Sequence, residues 1–219
     1  MIEQLLPTGV AAVESRHDDL AVKLFPEEEA LVANAVEKRR REFTAARACA
    51  RAALGRIGIA AVPILSGERG EPLWPQGVVG SITHCDGYRA CAVARSSEVL
   101  TLGIDAEPNG ALPEGLLADI ARPEELPGLR TLSAEYADVH WDRLLFSAKE
   151  SVYKAWFPLA KRWLGFEDAR ITFDPSSRVF TARLLVSGPV VAGTPLTGFS
   201  GTWMVSDGLI VTAIAVSAV

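Results

Sequence analysis

The residues best suited to chemistry are acidic, and they fall in two short stretches. Gly-Ile-Asp-Ala-Glu at 103–107 closes a segment that alternates with a period of two. Asp105 and Glu107 therefore share one face of a strand, with backbones ~6.5–7 Å apart. Two carboxylates so placed can converge on one hard cation. Magnesium prefers oxygen ligands and is often held by a few carboxylates together with substrate phosphates. Gly103 lies on the same face, where open space is expected. Taken alone, the pair also fits solvated residues entering a polar turn. The second stretch is a helix beginning near Trp141. At about 100° per residue, Trp141, Leu144, Leu145, Ala148, Val152 and Ala155 form one apolar face. Glu150 lies opposite, beside Phe146, Tyr153 and Phe157, so this helix is expected to be covered on both sides. A carboxylate in such an interface needs a partner, because burying it unpaired is costly. Magnesium held by Asp105 and Glu107 is one partner. Lys154, at i+4, is the other, through an ordinary helix ion pair.

Basic groups suited to an anion come from elsewhere. In Lys38-Arg39-Arg40-Arg41, the helical wheel turns Lys38 and Arg41 away from the apolar face of Val32, Val36, Phe43, Ala50 and Leu54. Arg39 falls within that face and Arg47 at its edge. Guanidinium groups directed inward need anions and match phosphate well; pairing with carboxylates satisfies the same need. His84, at the end of a short strand, can donate to a phosphate oxygen or serve a structural role. Ser81 and Thr83 add hydroxyl donors nearby. No Ser-His-Asp arrangement is legible, and Gly-Glu-Arg-Gly at 67–70 lacks the Lys-Ser/Thr of a nucleotide-binding glycine loop.

These residues need elements to position them. Pro26 opens a helical pattern, with Glu27, Glu28 and Glu29 in its first turn, that runs toward Gly55 or Gly58 and is long enough to contain a break. Asp86-Gly87 separates two apolar runs and predicts a hairpin. A strand follows, ending at Glu107 and Pro108. The Pro-, Gly- and Glu-rich stretch from Pro108 to about Leu132 reads as a link, with a short helix near Leu116 to Ile120. The second helix should end or kink before Pro158. Strands around 169–175 and 179–188 lead to a last hairpin over Asp207-Gly208. Each half thus reads as a long helix followed by antiparallel hairpins; a duplicated α+β unit explains both, as does the general likeness of one hairpin to another.

The 219 residues are 49% hydrophobic, enough for a sizeable core. A net charge of −5 argues against general nucleic-acid binding. The first residues lack the pattern of a secretory signal, and the longest apolar run, Leu209 to Val216, is too short for a membrane helix. Cys49, Cys85 and Cys91 form neither a disulfide framework nor a zinc spacing. A cytoplasmic protein is expected.

Gly-Ile-Asp-Ala-Glu at 103–107 and Phe-Ser-Ala-Lys-Glu-Ser-Val-Tyr-Lys-Ala-Trp at 146–156 together resemble the two signatures of phosphopantetheinyl transferases. The resemblance extends through Gly-Glu-Pro at 70–72, Ser-Ile-Thr-His at 81–84, Lys-Arg-Arg-Arg-Glu-Phe at 38–43 and Arg47, and so covers most of the chain. Size and duplication resemble the monomeric surfactin/enterobactin type rather than the short trimeric type, and the text around Lys-Ala-Trp-Phe-Pro-Leu is similar to actinobacterial members.

The resemblance implies two α+β halves related by pseudo-twofold symmetry, roughly 1–108 and 109–219, with coenzyme A in the cleft between them. It implies magnesium, replaceable by manganese, on Asp105, Glu107 and Glu150. It places Lys154 near the pyrophosphate and the reacting oxygen, His84 on a coenzyme A phosphate, Arg39 and Arg47 on the 3′-phosphate, and Lys149 near the phosphates. Where close relatives carry a phosphate-contacting lysine this chain has Ser66, and Arg69 is the expected substitute. Ser81 and Thr83 complete the expected coenzyme A contacts. The implied partners are apo acyl and peptidyl carrier proteins, with fatty-acid, polyketide and nonribosomal-peptide carriers all open and siderophore biosynthesis among the expected settings; Glu150, directly or through a water, is the candidate base. Lys161 and Arg162, beside Phe157, Leu159 and Trp163, suit a carrier-docking surface; a core position for Trp163 and Leu164 is the alternative. The rival readings are a non-catalytic coenzyme A- or carrier-binding module and an RNA-binding protein.

Overall fold

Two Asp-Gly turns organise the chain. In the computed structural model, which describes residues 1–17 and 22–218, Gly87 takes φ +70° between strands that pair Cys85 with Tyr88. At the second turn Asp207 and Gly208 take φ +50° and +75°, between strands that pair Ser206 with Leu209. Positive φ is the conformation a tight hairpin requires and that Gly and Asp tolerate.

In chain order the strands are β1 (Ala11–Ser15), β2 (Leu65–Ser66), β3 (Pro72–Leu73), β4 (Val78–Cys85), β5 (Tyr88–Arg95), β6 (Val99–Pro108), β7 (Ala169–Asp174), β8 (Val179–Leu184), β9 (Val190–Val191), β10 (Thr194–Pro195), β11 (Gly198–Ser206) and β12 (Leu209–Ser217). The α-helices are α1 (Pro26–Leu31), α2 (Glu37–Arg56), α3 (Leu116–Ile120), α4 (Leu126–Glu135) and α5 (Trp141–Ala160). One antiparallel sheet has the order β1-β5-β4, and the other has the order β6-β12-β11-β8-β7. In each, the strand before a 20-residue helix pairs with the last strand of the hairpin after it. The repeated topology is that of a duplicated α+β unit. β6 belongs by its hydrogen bonds to the second sheet, along β12, whereas the sequence places it at the end of the first half.

The two sheets meet at β4 and β6, joined by side chains. Ser81 Oγ accepts the Ile104 amide at 3.1 Å and Thr83 Oγ1 accepts the Ala106 amide at 3.0 Å. Behind this seam α5 lies tight on β6. A Cβ on Gly103 would strike the Ser151 carbonyl and come 2.8 Å from the Ala155 nitrogen. The open space expected beside Gly103 is therefore filled by the helix. Thr101 reinforces the contact by donating to the Ala155 carbonyl at 2.7 Å.

The first long helical pattern does break. α1 ends at Leu31, and Val36, expected on the apolar face, is the N-cap of α2 and 73% exposed. α5 runs two residues beyond Pro158 and ends at Lys161, in left-handed geometry, whose amide bonds the Phe157 carbonyl. Proline this near a helix end removes one amide without forcing a break upstream. The apolar face of α5 is buried as expected, with Trp141 against Phe173 and Trp203 at centroid distances of 5.7 and 5.3 Å. The link contains the expected α3 and also α4, which sequence reading missed. No helix among the described residues is long and apolar enough to cross a membrane.

Candidate active site

A cavity of ≈ 510 Å³ opens between the first half and α5. Arg39, Arg47, Ser66, Arg69 and His84 line one side, and Glu150, Tyr153 and Lys154 the other. This volume suits a small-molecule ligand.

Asp105 lies behind Lys154, is 4% exposed and, like Glu107, is not part of the cavity lining. Its Oδ1 accepts Lys154 Nζ at 2.7 Å and Thr83 Oγ1 at 3.1 Å, while Oδ2 is buried without a hydrogen-bond partner. Such an oxygen is costly to leave unmet. Glu107 accepts Arg143 Nη1 at 3.0 Å. Burial, reinforced by the Asp105 charge, pushes the Glu107 carboxyl up to about 7. Burial also raises Glu150, which lies at the boundary between the main cavity and a second of ≈ 190 Å³ backed by Trp163, Leu164 and Phe166. Lys154 bonds Asp105 and the Ile104 carbonyl, at 3.1 Å for the latter, rather than forming the local pair with Glu150. Among the described residues no group of three or more His, Cys, Asp or Glu side chains is gathered so that it could hold a metal ion. The chemistry of two of the expected ligands, Asp105 and Glu107, nonetheless suits a cation. An unmet buried carboxylate oxygen and two mutually repelling carboxylates both favour a cation.

The opposite wall suits an anion. Arg39 Nη1 lies 2.8 Å from His84 Nε2. A guanidinium can only donate, so Nε2 accepts and the imidazole is neutral, with its proton on Nδ1. Burial first, and then the Arg39 charge, lower the His84 pKa. Arg47 is buried over the Phe43 ring, 4.1 Å from its centroid; its Nε donates to the Ile64 carbonyl at 2.8 Å and its Nη2 reaches Ser66 Oγ at 3.4 Å. Burial lowers its pKa to about 10. Arg69 approaches from the loop, where its amide bonds Glu71.

Besides Asp105 and Glu107, three residues stand differently from the sequence expectation. Ser81 lines the cavity but its oxygen already accepts the Ile104 amide. Thr83 is not part of the cavity lining, and its hydroxyl proton is directed to Asp105. Lys149 does not line the main cavity either; its ammonium donates to the carbonyls of Ile120 and Phe166 at 2.9 and 2.8 Å and to Glu125 at 2.9 Å. Three donors on three acceptors make it a buried pin between the link and α5, not a phosphate contact. Arg143 was missed, although it lies two helical turns before Glu150 and so on a related face. Its Nε and Nη2 hold the Gly110 and Ala111 carbonyls while Nη1 fixes Glu107.

Both halves match family models: the 4′-phosphopantetheinyl transferase N-terminal domain over residues 27–94, and the 4′-phosphopantetheinyl transferase superfamily over residues 101–190. The chain belongs to the 4′-phosphopantetheinyl transferase family and is a transferase of that class. It is 56% identical over 221 residues to 4′-phosphopantetheinyl transferase Svp of Streptomyces mobaraensis, covering 100% of this chain and 90% of that one. Identity is 51% to Npt of Nocardia iowensis, over 98% of this chain and 99% of that one. It is 48% to PptT of Mycobacterium tuberculosis, over 98% and 97%.

Proposed function

We propose that the chain transfers the 4′-phosphopantetheine group of coenzyme A to a serine of apo acyl and peptidyl carrier proteins, with magnesium held by Asp105, Glu107 and Glu150. The observation that carries this reading is the buried, unmet Oδ2 of Asp105, whose other oxygen holds Lys154 in a cavity wall opposite Arg39, Arg47 and His84. A non-catalytic coenzyme A-binding module has no use for that oxygen. When bound, magnesium or manganese supplies charge neutralisation at the pyrophosphate.

The protein's own residues do the rest. Arg39 and Arg47, with Arg69 from the loop, hold the 3′-phosphate. His84 donates to a phosphate oxygen, and Lys154 turns its ammonium from Asp105 toward the pyrophosphate. The serine oxygen attacks the phosphorus that bears the pantetheine arm. Its bond to that phosphorus forms as the bridging P–O bond breaks, and adenosine 3′,5′-bisphosphate leaves. Glu150, whose burial raises its proton affinity, takes the serine proton directly or through a water. We place this chemistry in a cytoplasmic monomer, where Cys49, Cys85 and Cys91 stay reduced.

Incubation with coenzyme A, magnesium and a panel of apo carriers, followed by intact-mass measurement, tests the proposal. A mass gain of one phosphopantetheine on the carrier is expected. Coenzyme A binding without any carrier modification would favour the non-catalytic module.

A further inference from the structure

Glu28 lies on the third residue of α1 and is 0% exposed. A carboxylate removed from water so completely must be fully engaged. Its Oε2 accepts the Phe25 amide at 3.0 Å and Arg51 Nη1 at 2.8 Å. Its Oε1 accepts the Ile64 amide at 2.9 Å and lies 3.9 Å from Arg47 Nε. That Nε donates to the carbonyl of the same Ile64. Glu28 therefore grips one residue by its amide, and Arg47 is gripped by that residue's carbonyl. The far end of Arg47 is left at the cavity, beside Ser66.

The charges around this cluster do not balance. Arg47 and Arg51 face one carboxylate, and Glu28, ahead of the Cys91 thiol, favours the Arg47 charge, with burial, Arg39 and Arg51 opposing it. Of the two guanidinium groups, Arg47 lines the cavity and Arg51 does not.

We propose that Glu28 is the positioning residue that aims Arg47 at the 3′-phosphate, and so sets the preference for coenzyme A over dephospho-coenzyme A. This rests on the coenzyme A reading given above. Glu28 never touches the ligand. It fixes the direction of Arg47 through the Ile64 backbone that both side chains hold.

The test compares KM for coenzyme A and dephospho-coenzyme A in the wild type, Glu28→Gln, Arg47→Met and the double variant. Glutamine keeps one carbonyl oxygen but sets an amide donor against donors already there, so one side of the grip opens. Glu28→Gln should raise KM for coenzyme A about tenfold, the loss of one charge-assisted hydrogen bond. KM for dephospho-coenzyme A should stay as it was, and kcat should hold within about twofold, as for lost uniform binding. In the Arg47→Met background the added Glu28→Gln change should not alter the ratio further. A wild-type ratio in Glu28→Gln, with the ratio collapsed in Arg47→Met, overturns the role of Glu28 and leaves the coenzyme A reading standing. An unchanged ratio in Arg47→Met contradicts the phosphate assignment itself. If Glu28→Gln does not fold, Glu28→Asp replaces it, with thermal shifts by the two ligands as the readout; the coenzyme A shift should shrink toward that of dephospho-coenzyme A, and a wild-type difference overturns the proposal.

Discussion

Asp105 presents one oxygen to Lys154 and Thr83 and leaves the other buried and unmet. Asp105→Asn retains the shape and the Lys154 contact but removes the charge a metal needs. Carrier modification should fall by about 10–100-fold or more, by analogy with changes around metal sites, while the melting temperature changes little. Chelation should abolish transfer in the wild type, and magnesium or manganese should restore it. An Asp105→Asn enzyme that modifies carrier at the wild-type rate would remove the metal assignment. His84 supports a second expectation. Burial and Arg39 hold its pKa below the ordinary value in the empty cavity, and an arriving phosphate favours the charged form, raising it. Binding should therefore take up a proton. Coenzyme A affinity should be highest below the pKa of the empty form and decline as pH rises toward that of the liganded form. Calorimetry in buffers of different ionisation enthalpy measures the uptake, and His84→Gln should abolish it.

The contact between β6 and α5 holds Asp105 opposite Glu150, and Gly103 is its closest point. Gly103→Ala must push strand and helix apart, because the obstructing atoms are the Ser151 carbonyl and the Ala155 nitrogen rather than a movable side chain. We expect a loss of about 1–3 kcal/mol in stability, as for overpacking, and a fall in transfer beyond what the unfolded fraction explains. Denaturant titration beside single-turnover assays would separate the two effects. Elements were the most legible level of this protein. Asp-Gly turns, the α5 wheel and the period-two strand before Glu107 are local patterns, and each is fixed by steric rules acting within a few residues. Tertiary partners were less so. Lys149 has a neighbour in Glu150 and the appearance of a phosphate contact, yet its acceptors come from the link and from Phe166. Ser81 and Thr83 look like ligand donors until β6 is brought alongside β4. Val36 fits the α2 wheel, but a wheel cannot show where helical geometry starts. Strand and helix periodicity could set Asp105 beside Glu107 and turn Glu150 off the apolar face, while the three as a metal set came only from the family resemblance; the switch of Lys154 from Glu150 to Asp105 depends on how two elements cross.

At the scale of the molecule, the cavity draws on both halves, so its ligand should tie them together. Coenzyme A at about 100 times its Kd should add roughly 2.7 kcal/mol of stability, seen as one shifted melting transition rather than two. Two transitions of which one moves would place the ligand in a single half. The carrier-docking surface stands as a proposal, refined by the geometry. Arg162 is engaged locally, over the Trp156 ring and on the Ser187 carbonyl. Lys161 lies over Phe157, next to an exposed Trp163, while Leu164 is buried. Trp163→Ala should raise KM for carrier and leave coenzyme A affinity unchanged, whereas Lys161→Glu, at a residue that also lines the main cavity, should weaken binding of both, more at low salt than at high. Carrier kinetics that do not respond would move the docking surface elsewhere. Trp163 also has an optical consequence. It is 63% exposed, whereas Trp141, Trp156 and Trp203 are at most 4% exposed. Iodide should therefore quench one fraction of the indole emission, drawn there by the adjacent Lys161 charge, and leave a blue-shifted remainder untouched. That accessible fraction should fall in Trp163→Phe to what the half-buried, cavity-lining Trp74 contributes, and shrink as a carrier settles over Trp163, so the native protein carries its own fluorescent report of docking.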